Sequence, residues 1–282
     1  MQKTIQRTVL VTGASSGIGK ATALKLLNQG YCVYASARNP TRLESLAANG
    51  AKILQLDVTQ EQSMQNSVDR IIDESGRLDI LINNAGYGSY GALEDVALAE
   101  ARYQFEVNLF GVGRLTQLVL PHMRKQAFGK IVNITSIGGK IYEPLGSWYH
   151  ATKFALEGLS DCLRLELKPF GIDVIIIEPG PIKTEWGAIA IDKLIKTSGH
   201  TAYARAAAAG AKLLTLASDD SVASDPDVVA TAIAKAIKAK RPKARYPVGN
   251  GAEFLVTFRK FASDAMMDAL MQLMIHRGAI QK

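Results

Sequence analysis

From the amino terminus to about residue 180, short apolar runs bounded by turn residues alternate with stretches of helical periodicity. This pattern predicts successive strand–helix units wound into a parallel sheet. Strands are expected at Thr8–Thr12, Tyr31–Ser36, Lys52–Leu56, Leu78–Ile82, Lys130–Thr135, Asp173–Ile177 and Ala244–Val248. Helices are expected near Gly17–Asn28, Pro40–Ala48, Gln60–Glu74, Leu98–Lys125, Ser147–Leu167 and Pro226–Lys240. Gly30 suits the end of the first helix and Pro226 the first turn of the last. The fold class that follows is α/β: a doubly wound, seven-stranded parallel sheet with helices on both faces.

Two stretches break the alternation. Residues 185–223 are rich in Ala, Ser and Thr without a clear strand, and are expected to form a mobile helical cover over a pocket. Between 252 and 276, Phe254, Leu255, Phe258, Phe261, Met266, Leu270, Leu273 and Met274 recur at near-helical spacing. They predict one or two amphipathic helices packed on the body, a carboxy-terminal extension over 252–282.

Composition narrows the class without changing this picture. With 48% hydrophobic and 21% charged residues among 282, the chain reads as an ordinary globular protein, and a sheet of this kind reaches that length as one domain over 1–282. Its apolar runs, such as Val174–Ile177, are too short to span a bilayer, and the amino terminus lacks an extended apolar region, so a cytoplasmic protein is expected. Cys32 and Cys162 are the only cysteines and belong to no Cys/His cluster, which leaves a disulfide framework and a zinc site without ligands and predicts two reduced core residues. The net charge of +7 is concentrated in residues 226–282, which hold ten Lys/Arg against four Asp/Glu. Lys235, Lys238, Lys240, Arg241, Lys243 and Arg245 lack aromatic interleaving, so no nucleic-acid partner is expected, and they read as a solvated helix face running into a strand. Contact with anionic membranes is the other use such charge could serve.

The chemistry begins directly after the first strand, where Thr12-Gly13-Ala14-Ser15-Ser16-Gly17-Ile18-Gly19 runs into a helix. Gly13 permits a tight turn, Gly17 lets backbone amides approach a pyrophosphate and Gly19 allows close helix packing, with the phosphates facing the positive end of the helix. The end of the second strand, where a dinucleotide site usually carries an acidic residue for the ribose, holds Ala37-Arg38. A guanidinium suits a 2′-phosphate, so NADP(H) is preferred and NAD(H) is possible. Asp57-Val58 is placed to meet the adenine, and Asn84-Ala85-Gly86 to wall the cofactor.

Tyr149 and Lys153 lie four residues apart on a predicted helix and so share a face. Free tyrosine titrates near 10, and a lysine cation with an oxidised nicotinamide could bring it toward neutrality, which takes about 4 kcal/mol. Tyr149 would then be the acid in reduction and the base in oxidation. Ser136 ends the fifth strand and would hold the substrate oxygen; Asn108 would bind a water connecting Lys153 to solvent.

Thr12–Gly19, Asn83–Gly86, Asn108, Ser136, Tyr149-x-x-x-Lys153 and Pro179-Gly180 together resemble the short-chain dehydrogenase/reductase family in identity, order and spacing, over about residues 5–187. The resemblance implies a Rossmann-like fold, a catalytic tetrad of Asn108, Ser136, Tyr149 and Lys153, and a homodimer or homotetramer. It also places Ser15, Ser16, Ile18, Pro179, Gly180, Ile182 and Thr184 along the cofactor. Members that use NADP(H) often carry a basic residue where this chain has Ser16, so Arg38 would hold the 2′-phosphate largely alone. The carboxy-terminal half is similar to hydroxysteroid and retinol dehydrogenase-like members. With Trp186, Ile189, Ile191, Leu194 and Ile195 in the cover, and Tyr87, Tyr90 and Leu93 after the fourth strand, an apolar carbonyl or alcohol is the expected small-molecule partner. The competing class is a non-catalytic NADP(H)-binding sensor or partner protein on the same fold.

Overall fold

A computed structural model describes residues 6–280; the outermost residues of the amino terminus and of the carboxy-terminal extension lie outside it. Seven strands, β1 (Thr8–Val11), β2 (Cys32–Ala37), β3 (Lys52–Gln55), β4 (Ile80–Asn83), β5 (Gly129–Ile134), β6 (Ile172–Pro179) and β7 (Arg245–Val248), form one parallel sheet in the order β3-β2-β1-β4-β5-β6-β7. Val9 and Val11 enter one buried layer while Leu10 enters the opposite one, the period-two alternation of a sheet covered on both faces.

The layer on one face is completed by α1 (Gly17–Asn28), α2 (Glu44–Ala48) and α9 (Pro226–Lys238), through Leu26, Leu46, Val229, Ile233 and Ile237. The other is completed by α3 (Glu61–Ser75), α5 (Gly111–Lys125) and α6 (Ser147–Leu167), through Val68, Ile71, Leu115, Val119 and Leu167. Because β1 neighbours both β2 and β4, the chain reverses its winding there, and a crevice opens at the carboxyl ends of those strands.

Five expectations are revised. The helix expected over 98–125 is α4 (Leu98–Phe105) joined to α5 by one π-helical turn, Glu106–Phe110, which contains Asn108; such turns widen a helix and frequently mark functional positions. The cover is two regular helices, α7 (Glu185–Ser198) and α8 (Ala204–Ala217), which bury Ala190, Leu194, Ala207 and Leu214 with Tyr90, Leu145 and Tyr149 in a third apolar cluster. The extension is α10 (Ala252–Phe261) and α11 (Asp264–Ile280), but its large side chains do not all face the body. Phe254 and Phe261 are 69% and 84% exposed, and the inward positions belong to Ala252, Val256, Met267 and Met271. Ala252 sits close against Gly180, an approach that admits only a small side chain. Finally, Cys162 is exposed rather than a core residue, and Arg245 is drawn inward onto Glu157 and Asp161 instead of lying on a solvated face.

Candidate active site

A cavity of about 500 Å³ runs along the carboxyl ends of the strands. Its floor at β1 is stitched together by Thr12 and Asn84. The Thr12 hydroxyl accepts the backbone N–H groups of Asn84 and Ala85, both at 3.0 Å, and the Asn84 amide donates to the carbonyls of Thr12 and Gly13 at 2.9 and 3.0 Å. Gly13 has φ +64°, and a Cβ there would lie 2.8 Å from the Ala85 Cα, so the crossing of the two loops requires glycine. A Cβ on Gly19 would lie 2.4 Å from the Gly13 carbonyl oxygen, which keeps Gly19 behind the wall as a packing residue.

Gly13, Ser15, Ser16, Gly17, Ile18, Arg38, Asp57, Val58, Asn84, Ala85, Gly86, Ser136, Tyr149, Lys153, Pro179, Gly180, Ile182 and Thr184 all line the cavity; Gly19 and Asn108 do not. Ser16 begins α1 without a side-chain hydrogen bond to its first turn, so the amides there face the cavity uncapped, as an anion site requires. Arg38 donates to the Tyr103 hydroxyl at 2.9 Å. It is not alone: Arg42, which the sequence reading passed over, also lines the cavity and is paired with both carboxylate oxygens of Glu185 at 2.8 Å. Its signal was a second arginine four residues on, in the turn after β2. Asp57 Oδ1 accepts from the Thr59 amide and hydroxyl, and Thr184 caps α7 by accepting from the Trp186 amide. An anion-ready helix end, two guanidiniums and a long trough are what a phosphorylated dinucleotide requires.

At the other end Tyr149 is buried between Tyr90, Trp186 and His150, with ring centroids 5.7, 5.1 and 5.5 Å away. Lys153 lies one turn further along α6, its Nζ 6.0 Å from the Tyr149 ring centre, and donates to the Ile134 carbonyl at 2.9 Å. Ser136 Oγ accepts the Gly138 amide at 2.9 Å, which orients it at the head of β5. Burial pushes the Tyr149 hydroxyl up to about 12, opposed by the Ser136 hydroxyl and reinforced by the charge of Glu143. The expected fall toward neutrality is therefore not produced by the protein's own groups. Burial likewise lowers Lys153 to about 8, opposed by Glu157 one turn on.

The Asn108 side chain is engaged within the protein. Its Oδ1 accepts the Tyr87 amide at 3.1 Å, and its Nδ2 donates to the Tyr87 carbonyl at 2.9 Å and the Thr152 hydroxyl at 3.1 Å. The side chain clamps the loop after β4 to the helix that carries Tyr149. Of the apolar residues expected around a substrate, Tyr87, Tyr90, Trp186 and Ile189 line the cavity; Leu194 is core, and Leu93 and Ile195 are exposed. Residues missed by the sequence reading are Glu143, His150, Leu213, Leu214, Leu255 and Met271, which reach the cavity from four separate segments.

Comparison with known proteins agrees with this geometry. Residues 7–193 match the family described as short chain dehydrogenase. A 3-ketodihydrosphingosine reductase of Bacteroides thetaiotaomicron is 47% identical over 176 residues, which cover 62% of this chain and 64% of that protein, just under two thirds of its length. An NADPH-dependent 3-dehydrocapnine reductase of Ornithobacterium rhinotracheale is 34% identical over 278 residues, 94% of this chain and 95% of the relative. A short-chain dehydrogenase of Streptomyces avermitilis has a solved structure that superposes with a TM-score of 0.81 at 32% identity, covering 97% of this chain and 98% of that one. The chain belongs to the short-chain dehydrogenase/reductase family and is an oxidoreductase. Two solved neighbours of the fold were determined with a nicotinamide dinucleotide: an alcohol dehydrogenase of Thermococcus sibiricus complexed with 5-hydroxy-NADP, at 25% identity and a TM-score of 0.69 over 86% of this chain and 95% of that one, and a metagenomic short-chain oxidoreductase in complex with NADP, at 26% identity and a TM-score of 0.67 over 85% and 95%. Among the described residues no helix is long and apolar enough to cross a membrane.

Proposed function

We propose that the protein interconverts a carbonyl and an alcohol of an apolar substrate with NADP(H), using Tyr149 as the proton donor and acceptor. The observation that carries this reading is the buried Tyr149 hydroxyl, held in the cavity with Ser136 beside it and Lys153 one turn away. When bound, the nicotinamide exchanges a hydride with the substrate carbon, so that cofactor and substrate change oxidation state in opposite senses. Ser136 positions the substrate oxygen with its hydroxyl. Tyr149 gives that oxygen a proton in reduction and removes it in oxidation. Lys153, buried and hydrogen-bonded to the Ile134 carbonyl, places a cation near the phenol, where it stabilises the phenolate that proton donation leaves behind. Arg38 and Arg42 support NADP(H) over NAD(H), since two guanidiniums at the end of β2 favour a phosphate there over a bare ribose. NADPH dependence and ketone reduction in relatives' names point the same way.

The test is oxidation of NADPH in the presence of long-chain ketones and aldehydes, with wild type and Tyr149→Phe. Wild type should turn over at least part of the panel, while Tyr149→Phe binds NADPH with unchanged affinity and loses about three orders of magnitude or more in kcat. Near-normal kcat in the variant would overturn the assignment of Tyr149.

A further inference from the structure

The substrate end of the cavity is apolar in wall but not in charge. Trp186, Leu213, Leu214, Leu255, Met271 and Met274 supply a broad hydrophobic lining from α7, α8, α10 and α11. Into the same space, from the loop between β5 and α6, comes one carboxylate, Glu143. Its Oε1 accepts the Tyr90 hydroxyl at 2.6 Å, and the Tyr90 ring lies 5.7 Å from that of Tyr149, so the carboxylate and the reacting phenol are both neighbours of Tyr90. Its charge is felt at the Tyr149 hydroxyl.

The one basic side chain within 4 Å of Glu143, among the described residues, is His150, whose Nε2 stands 3.9 Å from Oε1. That imidazole is not a counter-ion. His150 Nε2 accepts the Glu143 backbone amide at 3.2 Å, and Nδ1 meets the Gly138 carbonyl at 2.8 Å, where it is placed to donate. In that hydrogen-bonding arrangement Nε2 faces the Glu143 amide and offers the carboxylate no proton. Other cations nearby are already committed: Lys140 to Glu157 at 2.8 Å, and Arg259 to Asp264 at 2.8 Å. The remaining charged groups lining the cavity, Arg38, Arg42, Asp57 and Glu185, stand at its cofactor end, and Lys153 faces the Ile134 carbonyl.

Glu143 is 29% exposed and accepts only the Tyr90 hydroxyl through Oε1, so its charge remains available to a cation that a ligand brings along the apolar wall. We infer that Glu143, steadied by Tyr90, is a specificity-determining residue that pairs with a protonated amine on the substrate close to the reacting carbon, while the apolar wall takes a hydrocarbon chain. The substrate class is then a long-chain amino ketone or its amino alcohol. This deepens the carbonyl–alcohol reading above and rests on it. Neither the carboxylate nor the amine takes part in the redox step; the pair only orients the carbonyl between Ser136 and Tyr149.

The experiment compares a long-chain α-amino ketone with the plain ketone of the same chain length, both with NADPH, at about pH 6.5, where an amine of this kind is protonated. Wild type should favour the amino ketone in kcat/KM by at least about tenfold, mainly through KM, as a charge-assisted hydrogen bond allows. Glu143→Gln should bring that ratio to about one, and Glu143→Asp should restore part of it. Equal kcat/KM for the two ketones in wild type, or an unchanged ratio in Glu143→Gln, would overturn the inference while leaving the carbonyl–alcohol reading in place. Turnover of neither ketone nor of a broader carbonyl panel would overturn that reading and this inference with it. Should Glu143→Gln prove unstable, Glu143→Asp carries the comparison alone, with a ratio below wild type expected and a ratio equal to wild type counting against the pairing.

Discussion

Arg42 and Glu185 form a two-oxygen ion pair at 2.8 Å that bridges the turn after β2 and the first residue of α7, along the wall of the cofactor trough. Both partners are about half exposed, so the pair itself adds little stability. Its position matters more, because it holds a second guanidinium in the part of the trough that contains Arg38.

A bound 2′-phosphate would find both guanidiniums there. Arg38→Ala and Arg42→Ala should each raise KM for NADPH about tenfold or more and leave KM for NADH nearly unchanged, with the double variant losing the distinction between the two cofactors. Initial-rate measurements with both cofactors check this, and equal effects on the two KM values would remove the preference for NADP(H).

The raised Tyr149 hydroxyl predicts opposite pH dependences for the two directions of reaction. With the phenol pushed up to about 12, the proton donor is loaded throughout the neutral range, so reduction should be nearly flat from about pH 6 to 8. Oxidation needs the phenolate, and its kcat/KM should climb with pH, approaching tenfold per unit where deprotonation limits. Profiles of kcat/KM in both directions decide the matter; an oxidation rate that is flat or falls with pH would contradict it.

Glu178 makes stability depend on pH. It is fully buried on β6, neither carboxylate oxygen accepts a hydrogen bond among the described residues, and Arg245 stands 3.7 Å away. Burial, with Glu157 adding like charge, raises it from 4.5 to about 7. Between these values the unfolded chain has lost the proton and the folded chain keeps it. Stability is thus complete below about pH 4.5 and declines as pH rises through 7, by about 3 kcal/mol from this residue. Glu178→Gln should flatten that decline, measured as the difference in Tm between pH 5 and pH 8; the same difference in wild type and variant would refute it.

Removing the Asn108 side chain should cost both stability and rate. Asn108→Ala leaves the Tyr87 amide without its partner, leaves the Tyr87 carbonyl with only the longer 3.4 Å bond from Gln104, and loosens a loop that lines the cavity. A loss of about 2 kcal/mol is expected from the unpaired Tyr87 amide and the weakened carbonyl, read by urea denaturation. The accompanying fall in kcat/KM, measured well below the new Tm, separates misplacement of the loop from simple unfolding; full activity there would show that the clamp does not serve the site.

The parallel sheet was legible because period-two and helical periodicity are local properties of the chain, and each strand was expected within a few residues of its place. The π turn at 106–110 was not legible, since its residues share the same helical preference as their flanks and are held open by the clamp from Asn108 to Tyr87 and Thr152. In the extension the spacing of Phe254, Phe258 and Phe261 announced a helix but not its inward face. That face was chosen by the fit of Ala252 against Gly180.

By itself the sequence determined the strand–glycine turn–helix of residues 8–28, the sharing of one helix face by Tyr149 and Lys153, and Ser136 at the end of β5. Each of these depends only on residues close in the chain. Tertiary structure alone decided what surrounds them. Arg42 with Glu185, Glu143 with Tyr90, and the orientation of the His150 ring all arise from segments that meet only after the sheet and its cover have packed. The protonation of Tyr149 and Lys153 belongs to the same level, because desolvation is set by how completely other parts of the chain exclude water from a group.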